Sequence, residues 1–149
     1  MPVGSSSSGG GQQGGNRAGD RQRNADPPRA TIVVLDDDLL FRRGITRVLR
    51  SEGYDVIEVD DSDGLAAALE DGPVDLIVAD SRLADGSDGW LRAQELAERH
   101  GRIKVLAITG YDTDAIAAVG GYTGVDGWVQ KAGAGFNVVR AVEEALASE

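Results

Sequence analysis

The chain has 149 residues, no cysteine and a formal net charge of -10, with 25 Asp and Glu against 15 Lys and Arg. The lack of cysteine excludes disulfides and cysteine catalysis, and the acidic balance argues against direct nucleic-acid binding, because phosphate contacts need clustered Lys and Arg. No run of 18 apolar residues occurs, and the N-terminal MPVGSSSSGGG lacks the apolar segment of a signal peptide. We therefore expect a cytoplasmic protein that does not enter a membrane.

Residues 1–29 differ in composition from the rest of the chain. Gly, Ser, Gln and Asn dominate up to Gly15, and a stretch of mixed charge follows to Pro28. Such a segment buries too little apolar surface to offset the entropy lost on ordering, so we expect a disordered N-terminal tail. Its four Arg and two Asp give a charge of +2, and subtracting +2 from -10 leaves -12 for residues 30–149. That remainder is long enough for one domain with a single core.

The ordered part opens with TIVVLDDD, a run of β-branched and aliphatic residues that starts at Thr31. The absence of polar alternation predicts a strand buried on both faces, which ends at three aspartates. Residues 39–52 then predict an amphipathic helix with Gly53 as its C-terminal cap. Its expected apolar face comprises Leu40, Ile45, Val48 and Leu49, and its expected outward face Arg42, Arg43, Arg47 and Arg50.

The strand and helix unit then repeats. YDVIEVD predicts the second strand, and Asp63 is expected to cap a short Ala-rich helix that ends before Gly72. DLIVAD is the third predicted strand and IKVLAIT the fourth. Between them, residues 89–100 predict a helix whose apolar side contains Trp90, Leu91 and Leu96.

The last two units follow the same pattern. Residues 112–124 predict a fourth helix that is weakened by Gly120 and Gly121, each of which costs about 1 kcal/mol relative to Ala. We expect this to be the least ordered segment of the fold. VDGWVQ predicts the fifth strand, and FNVVRAVEEALASE predicts the last helix, with these residues facing inward: Phe136, Val139, Val142 and Leu146.

Five such repeats predict an α/β fold, a doubly wound parallel sheet covered by helices on both faces. Ligands of these sheets bind outside the carboxyl ends of the strands, where the strand order reverses. The polar residues expected at that edge are Asp36, Asp37 and Asp38 after the first strand, Asp80 after the third, Thr109 after the fourth and Lys131 after the fifth.

Carboxylates crowded at one edge repel one another, and a divalent cation would relieve that repulsion. Oxygen ligands without nearby His or Cys favour Mg²⁺ or Mn²⁺ over zinc, and a carboxylate can also act as a phosphoryl nucleophile. Taken singly, Asp38 fits a helix N-cap, Thr109 a strand-end hydroxyl and Lys131 a surface ammonium. Their positions after successive strands instead favour a phosphoacceptor site centred on Asp80.

At this point residues 31–149 resemble the receiver domain of two-component response regulators. IVVLDDD is similar to the family's first strand with its acidic pair, and DLIVAD to the strand that ends in the phosphoacceptor. LAITGY resembles the segment that carries the switch hydroxyl, and GWVQK the segment with the switch aromatic and the lysine. The spacing is specific, with 19 positions from Thr109 to Trp128 and three from Trp128 to Lys131.

The resemblance implies a flavodoxin-like fold of five parallel strands in the order 2-1-3-4-5 with five helices. It implies Asp80 as phosphoacceptor, Lys131 as the group that pairs with the phosphoryl oxygens, and Thr109 and Trp128 as the switch pair. The implied Mg²⁺ or Mn²⁺ ligands are Asp37 and Asp80 directly, Asp36 through water, and the backbone carbonyl of Arg82. We add the hypothesis that Arg82 and Tyr111 shield the phosphorus and lengthen the phosphorylated state.

The implied function is a step in a phosphorelay. A histidine kinase or histidine phosphotransfer protein would supply the phosphoryl group, and a downstream protein would bind through the fourth helix, fifth strand and fifth helix. Apart from self-phosphorylation and autodephosphorylation at Asp80, no enzymatic activity is expected. Because no further domain follows Glu149, the chain either signals by binding another protein or is part of a longer one.

Three features depart from the family pattern. Ala132 stands where the family has proline, so we expect no cis peptide bond there, because a non-proline cis bond costs about 3 kcal/mol. Ala84 also stands where a proline is usual. The loop after Asp80 is one residue longer than in the commonest members, with Gly89 nine positions past Asp80. The longer loop, of the SRL type, resembles that of receivers attached to hybrid kinases, whereas ITGY resembles a single-domain subgroup.

Two alternatives remain open. VVLDDD also fits a haloacid-dehalogenase-type phosphatase with Asp36 as nucleophile and Asp38 as acid, although such phosphatases are longer and Asp80 would then have no role. The other alternative is a receiver-like module that binds partners without phosphorylation. The single histidine, His100, is expected to be structural, because a cation at a helix C-terminus favours the helix dipole.

Overall fold

The computed structural model describes residues 27–81, 83, 86, 88–110, 125–131 and 134–148, with the backbone alone at 134–136. Strands and helices alternate from Thr31 to Thr109. The strands are β1 (Thr31–Leu35), β2 (Asp55–Val59), β3 (Leu76–Asp80), β4 (Lys104–Thr109) and β5 (Gly127–Gln130). The helices are α1 (Leu39–Ser51), α2 (Ser62–Asp71), α3 (Gly89–Arg99) and α4 (Ala134–Ala147).

The five strands form one parallel sheet in the order β2-β1-β3-β4-β5. This confirms the predicted α/β fold and the strand order 2-1-3-4-5. Four of the five predicted helices lie within the described residues, and the predicted helix at 112–124 lies outside them. None of the helices described is long and apolar enough to cross a membrane.

The sheet separates two apolar clusters because successive side chains of a strand point to opposite faces. Ile32 and Val34 of β1 pack under α1 and α4, with Leu49 and Val142. Val33 and Leu35 of the same strand pack under α2 and α3, with residues such as Leu65 and Leu96. All five residues of β3 are buried. The run of apolar residues in each central strand is therefore explained by burial on both faces.

The strand order reverses between β1 and β3, which are neighbours in the sheet although β2 lies between them in sequence. Leu35 of β1 pairs with Ala79 of β3. The next residues, Asp36 and Asp80, therefore emerge side by side at the carboxyl edge of the sheet, where the switch point was predicted to place the site.

Two aspartates fix the register at the opposite edge. The Thr31 amide donates to Asp75 Oδ2 at 2.8 Å, and the Asp75 amide donates to the Thr31 carbonyl at 2.9 Å. Val105 and Asp126 make the same reciprocal pair, with both bonds at 2.8 Å. Each pair satisfies an amide at the start of a strand that has no partner in the regular ladder.

Helix α1 confirms its predicted ends but corrects its predicted faces. Asp38 is the N-cap, and Gly53 follows the helix with φ of 93°. Leu40, predicted to be buried, is 82% exposed. It lies nine residues before Leu49 and is therefore about half a turn out of phase with the buried face. Arg42 lies seven residues before Leu49, about two full turns away, so it points toward the sheet instead of outward.

The other outward predictions in α1 are only partly right. Arg43 and Arg47 are exposed as expected. Arg50 is half-buried and donates from Nη2 to the Val56 carbonyl at 2.9 Å. Long basic side chains can bury their stems while their polar ends reach backbone carbonyls, so an Arg near the apolar face can be partly inside.

The structure corrects one prediction in each of the helices α2 and α3. The N-cap of α2 is Asp61, whose side chain accepts from the Gly64 amide at 2.8 Å, and not Asp63, which lies in the first turn. In α3, Leu91 is exposed because it is about 140° around the helix from the buried Leu96. Trp90 is partly buried against the cluster, as predicted.

The ends of α3 agree with the sequence to within one residue, whereas α4 begins and ends two residues earlier than predicted. His100 caps the C-terminus of α3, with its Nδ1 3.2 Å from the Leu96 carbonyl. In α4, Val142 is buried, and Val139 and Leu146 pack against the same cluster as predicted. The side chain of Phe136 lies outside the described residues.

Candidate functional site

The predicted polar residues meet at the carboxyl edge of the sheet. Asp36 follows β1, Asp80 ends β3, Thr109 ends β4 and Lys131 follows β5. Asp36 is 2% exposed and Asp80 6% exposed, and Thr109 is also buried. Each residue lies at or directly after the end of its strand, and the ends of parallel strands meet at the same edge of the sheet.

Three carboxylates form a cluster there. One oxygen from each of Asp36, Asp37 and Asp80 lies within 4.8 Å of the others. Asp36 and Asp80 are buried, whereas Asp37 is exposed, so the cluster opens to solvent on the side of Asp37. Asp36 Oδ1 accepts a hydrogen bond from the Asp38 amide at 2.9 Å, which fixes the orientation of the Asp36 carboxylate.

Lys131 supplies the opposing charge. Its Nζ lies 3.2 Å from Asp36 Oδ2 and 3.6 Å from Asp80 Oδ2. Burial lowers the pKa of Lys131, but the negative charges of Asp36 and Asp80 outweigh burial and raise that pKa above its ordinary value. The side chain is therefore an ammonium that bridges the two buried carboxylates.

The backbone holds Lys131 at this place. Its amide donates to the Thr109 carbonyl at 2.7 Å, which continues the ladder between β4 and β5 beyond the pair of Thr109 and Gln130. The Ser81 amide likewise donates to the Ile108 carbonyl at 2.7 Å. Main-chain hydrogen bonds thus fix Lys131 after β5 and Ser81 after β3.

Arg42 supports the cluster from α1, and the sequence interpretation missed this role. Its Nη1 donates to the Asp36 backbone carbonyl at 2.7 Å, and its Nε donates to Glu58 Oε1 at 2.9 Å. The guanidinium thereby connects α1, the end of β1 and strand β2. The signal was available, because Arg42 is in phase with Leu49 on the buried face of α1.

Asp38 serves the helix. Its Oδ1 accepts from the Phe41 amide at 3.1 Å, as expected of an N-cap. The alternative that made Asp38 a catalytic acid would need this carboxylate to face a substrate. The N-cap position instead gives Asp38 a local structural role.

Gly89 brings α3 into contact with the end of β3. A Cβ at this position would lie 2.3 Å from the Asp80 backbone carbonyl oxygen, closer than any real Cβ contact. Glycine is therefore required where the first turn of α3 passes the end of β3. The sequence singled out Gly89 for its distance from Asp80, and the structure gives the physical reason.

The two residues predicted to form the switch pair occupy the expected strands. Thr109 is the last residue of β4, and Trp128 is half-buried in β5, where it pairs with Ala107. Four other residues that the sequence singled out lie outside the described residues: Arg82, Ala84, Tyr111 and Ala132. Among the described peptide bonds none is cis.

The donor set fits a hard divalent cation. The cluster offers only carboxylate oxygens, which Mg²⁺ and Mn²⁺ prefer. Asp36 Oδ2 is buried and lies 3.2 Å from the Lys131 ammonium, so the cluster already pairs its carboxylate oxygens with a positive charge.

A sequence model of the response regulator receiver domain matches residues 32–143. The chain belongs to this family, whose members act in two-component signalling. The match includes residues of all five strands, and it favours the receiver family over the haloacid-dehalogenase alternative.

Curated relatives agree with the family. The aerobic respiration control protein ArcA of Escherichia coli is 29% identical over 96 residues, which cover 64% of this chain and 40% of ArcA. The transcriptional regulatory protein AruR of Pseudomonas aeruginosa is 31% identical over 125 residues, 76% of this chain and 50% of AruR. The chain thus spans half or less of the length of these two relatives.

Among solved structures, the response regulator protein TrrA of Thermotoga maritima, crystallised in complex with Mg²⁺ and beryllofluoride, has a TM-score of 0.67. It is 21% identical, and the match covers 78% of this chain and 98% of that chain. At this identity the similarity supports the fold.

Proposed function

We propose that this chain accepts a phosphoryl group on Asp80 from a phosphohistidine of a histidine kinase or histidine phosphotransfer protein, and that it signals by binding another protein. The observation that carries the proposal is the position of Lys131, whose ammonium bridges the buried carboxylates of Asp36 and Asp80 at the strand-order switch point. An ammonium at this place can pair with an oxygen of a group attached to Asp80.

The proposed transfer is an in-line displacement. A carboxylate oxygen of Asp80 attacks phosphorus, the bond between phosphorus and the histidine nitrogen breaks, and its electron pair returns to that nitrogen. The second ring nitrogen carries a proton, so the imidazole leaves neutral and Asp80 holds an acyl phosphate. The protein contributes position and charge, which are the main sources of catalysis in phosphoryl transfer.

Asp36, Asp37 and Asp80 are the residues that would hold the cation, together with the Arg82 backbone carbonyl proposed from the resemblance. A bound Mg²⁺ supplies positive charge that screens the carboxylates from the incoming phosphoryl oxygens. The complex of TrrA with Mg²⁺ and beryllofluoride supports this choice of ion.

The response is proposed to pass through Thr109 and Trp128. Thr109 would donate from its hydroxyl to a phosphoryl oxygen, and its movement would leave space for the half-buried Trp128 to turn. The free energy for this change would come from contacts that exist only in the phosphorylated state. The surface around the fourth predicted helix, β5 and α4 would then be the one that a downstream protein recognises.

The remaining parts of the proposal follow from the sequence. Residues 1–29 would form a tail outside the receiver domain, and the chain would act in the cytoplasm. Arg82 and Tyr111 would shield the phosphorus from water and lengthen the phosphorylated state. No other enzymatic activity is proposed.

The function is tested by NMR of the whole chain with Mg²⁺ and beryllofluoride, an analogue of the phosphoryl group. Wild type should show chemical-shift changes that extend from Asp80 to Thr109 and Trp128, whereas Asp80→Asn should respond to Mg²⁺ alone. An identical response of both proteins to beryllofluoride would reject Asp80 as acceptor. No response in either protein would favour a module that binds partners without phosphorylation.

A further inference from the structure

The ammonium of Lys131 has a third neighbour besides the two carboxylates. Its Nζ lies 4.7 Å from the centre of the Phe41 ring. The ring belongs to the first turns of α1 and is partly buried against the cluster under α1 and α4. The Phe41 amide is bound by the Asp38 N-cap, which fixes the backbone beneath the ring. A rigid aromatic face therefore lies against the charged end of a flexible side chain.

The aromatic ring can hold a flexible lysine side chain in one orientation. A lysine side chain has a flexible four-carbon stem and about 2 kcal/mol of rotamer entropy. The Lys131 side chain is 27% exposed, so its ammonium could also turn toward solvent. The face of an aromatic ring carries negative charge density and attracts a cation within about 6 Å of its centre. Phe41 thus favours the orientation in which Lys131 stays between Asp36 and Asp80.

We propose that Phe41 is a positioning residue for phosphorylation, whose ring holds the Lys131 ammonium where it meets the phosphoryl oxygens on Asp80. The inference rests on the proposed function of Asp80 and deepens it. Phe41 does not touch the reacting atoms, and its effect passes through Lys131. The carboxylates of Asp36, Asp37 and Asp80 would hold the cation, so the ring would have no direct part in binding Mg²⁺.

The proposal predicts different effects on two affinities, that for beryllofluoride and that for Mg²⁺. Replacing the ring with an aliphatic side chain should lower beryllofluoride affinity at saturating Mg²⁺ by about three- to tenfold, the range that corresponds to a partly exposed cation and ring pair. Mg²⁺ affinity without beryllofluoride should stay equal or rise, because a looser Lys131 competes less for the Asp36 and Asp80 carboxylates.

The experiment uses the whole chain and three variants. Phe41→Leu keeps an apolar side chain but removes the ring, and Phe41→Tyr keeps the ring. Val48→Ala is the matched control, since Val48 lies on the same helix and packs against the same cluster. NMR titrations measure both affinities, and the proton shifts of the Lys131 methylene groups beside Nζ report directly whether a ring lies over them.

The expected result is weaker beryllofluoride binding for Phe41→Leu, wild-type binding for Phe41→Tyr and Val48→Ala, and an upfield shift of the Lys131 methylene protons that disappears only in Phe41→Leu. Equal beryllofluoride affinity in Phe41→Leu and wild type would overturn the proposal, as would equal losses in Phe41→Leu and Phe41→Tyr or a parallel loss of Mg²⁺ affinity. If Asp80→Asn binds beryllofluoride like wild type, the proposed function fails instead. The Lys131 proton shifts would then still decide whether the ring holds the ammonium, and their absence in wild type would refute the contact itself.

Discussion

The guanidinium of Arg42 donates a hydrogen bond from Nη1 to the backbone carbonyl of Asp36 at 2.7 Å. This bond connects the first helix to the residue that begins the acidic cluster. The same guanidinium donates from Nε to Glu58 Oε1 at 2.9 Å, so the end of β1 is held against β2 as well. Arg42 and Glu58 together form a bracket that holds the backbone of Asp36.

Arg42→Ala should therefore weaken both the fold and the cluster. Hydrogen bonds from charged groups contribute about 2 kcal/mol each to stability, and Glu58 would lose its closest partner. We expect unfolding free energy in urea to fall by about 2–4 kcal/mol and Mg²⁺ affinity to fall with it. Arg43→Ala is the control, because Arg43 is exposed and its Nε lies 4.0 Å from Glu58 Oε1, too far for a hydrogen bond. Equal effects of the two substitutions would show that the bracket has no special role.

Gly89→Ala should displace the acceptor strand from α3. The added methyl group would lie 2.3 Å from the Asp80 carbonyl oxygen, so either the helix or the strand end must move. Overpacking of this kind costs about 1–3 kcal/mol. Gly44→Ala offers the opposite control: a Cβ there meets nothing within 4 Å, and alanine favours the helix. Thermal unfolding should show a lower midpoint for Gly89→Ala and a higher one for Gly44→Ala, and a neutral Gly89→Ala would contradict the close approach.

The corrected cap of α2 can be tested with two neighbouring aspartates. Asp61→Ala removes the acceptor for the Gly64 amide and should cost about 1 kcal/mol. Asp63→Ala removes only a first-turn charge and should cost a few tenths of a kcal/mol, about what a favourable dipole contact provides at the surface. Urea unfolding of both variants decides between them. A larger loss for Asp63→Ala would restore the cap that the sequence first suggested.

Tyr54 makes the free energy of unfolding depend on pH in the alkaline range. Burial raises the pKa of its phenol, and the Arg29 guanidinium, 4.6 Å from the ring centre, only partly opposes that rise. The folded state therefore favours the neutral phenol. Its contribution to stability is complete below the unfolded pKa of about 10 and is lost as pH rises through the folded value. Unfolding free energy should fall more steeply above about pH 10 in wild type than in Tyr54→Phe, and parallel curves would contradict this.

The sequence predicted the fold because its signals are local. Unbroken apolar runs such as LIVA are typical of strands buried on both faces, and each run stops at a turn or a cap. The cluster was predictable for the same reason, since Asp36, Asp80 and Thr109 stand at or directly after the ends of those runs. Once the strands are parallel, their carboxyl ends meet at one edge.

The errors arise where a single side chain departs from the pattern of its helix. The sequence predicts Leu40 and Leu91 on apolar faces from an approximate helical spacing, but their phase relative to Leu49 and Leu96 turns them toward solvent. Arg42 was assigned to the outside because it is charged. The contact between Phe41 and Lys131 joins residues 90 positions apart and depends on sheet order, so no local pattern of the sequence reports it.

The central claim is that Asp80 is the phosphoacceptor, and intact-mass spectrometry with a small-molecule phosphoryl donor and Mg²⁺ tests it most directly. Wild type and Asp60→Asn should each gain the mass of one phosphoryl group, because Asp60 is an exposed carboxylate after β2 and lies outside the cluster. Asp80→Asn should gain none, and chelation of Mg²⁺ should abolish the gain in wild type. A phosphorylated Asp80→Asn protein, or a wild-type chain that stays unmodified while folded and loaded with Mg²⁺, would contradict the account.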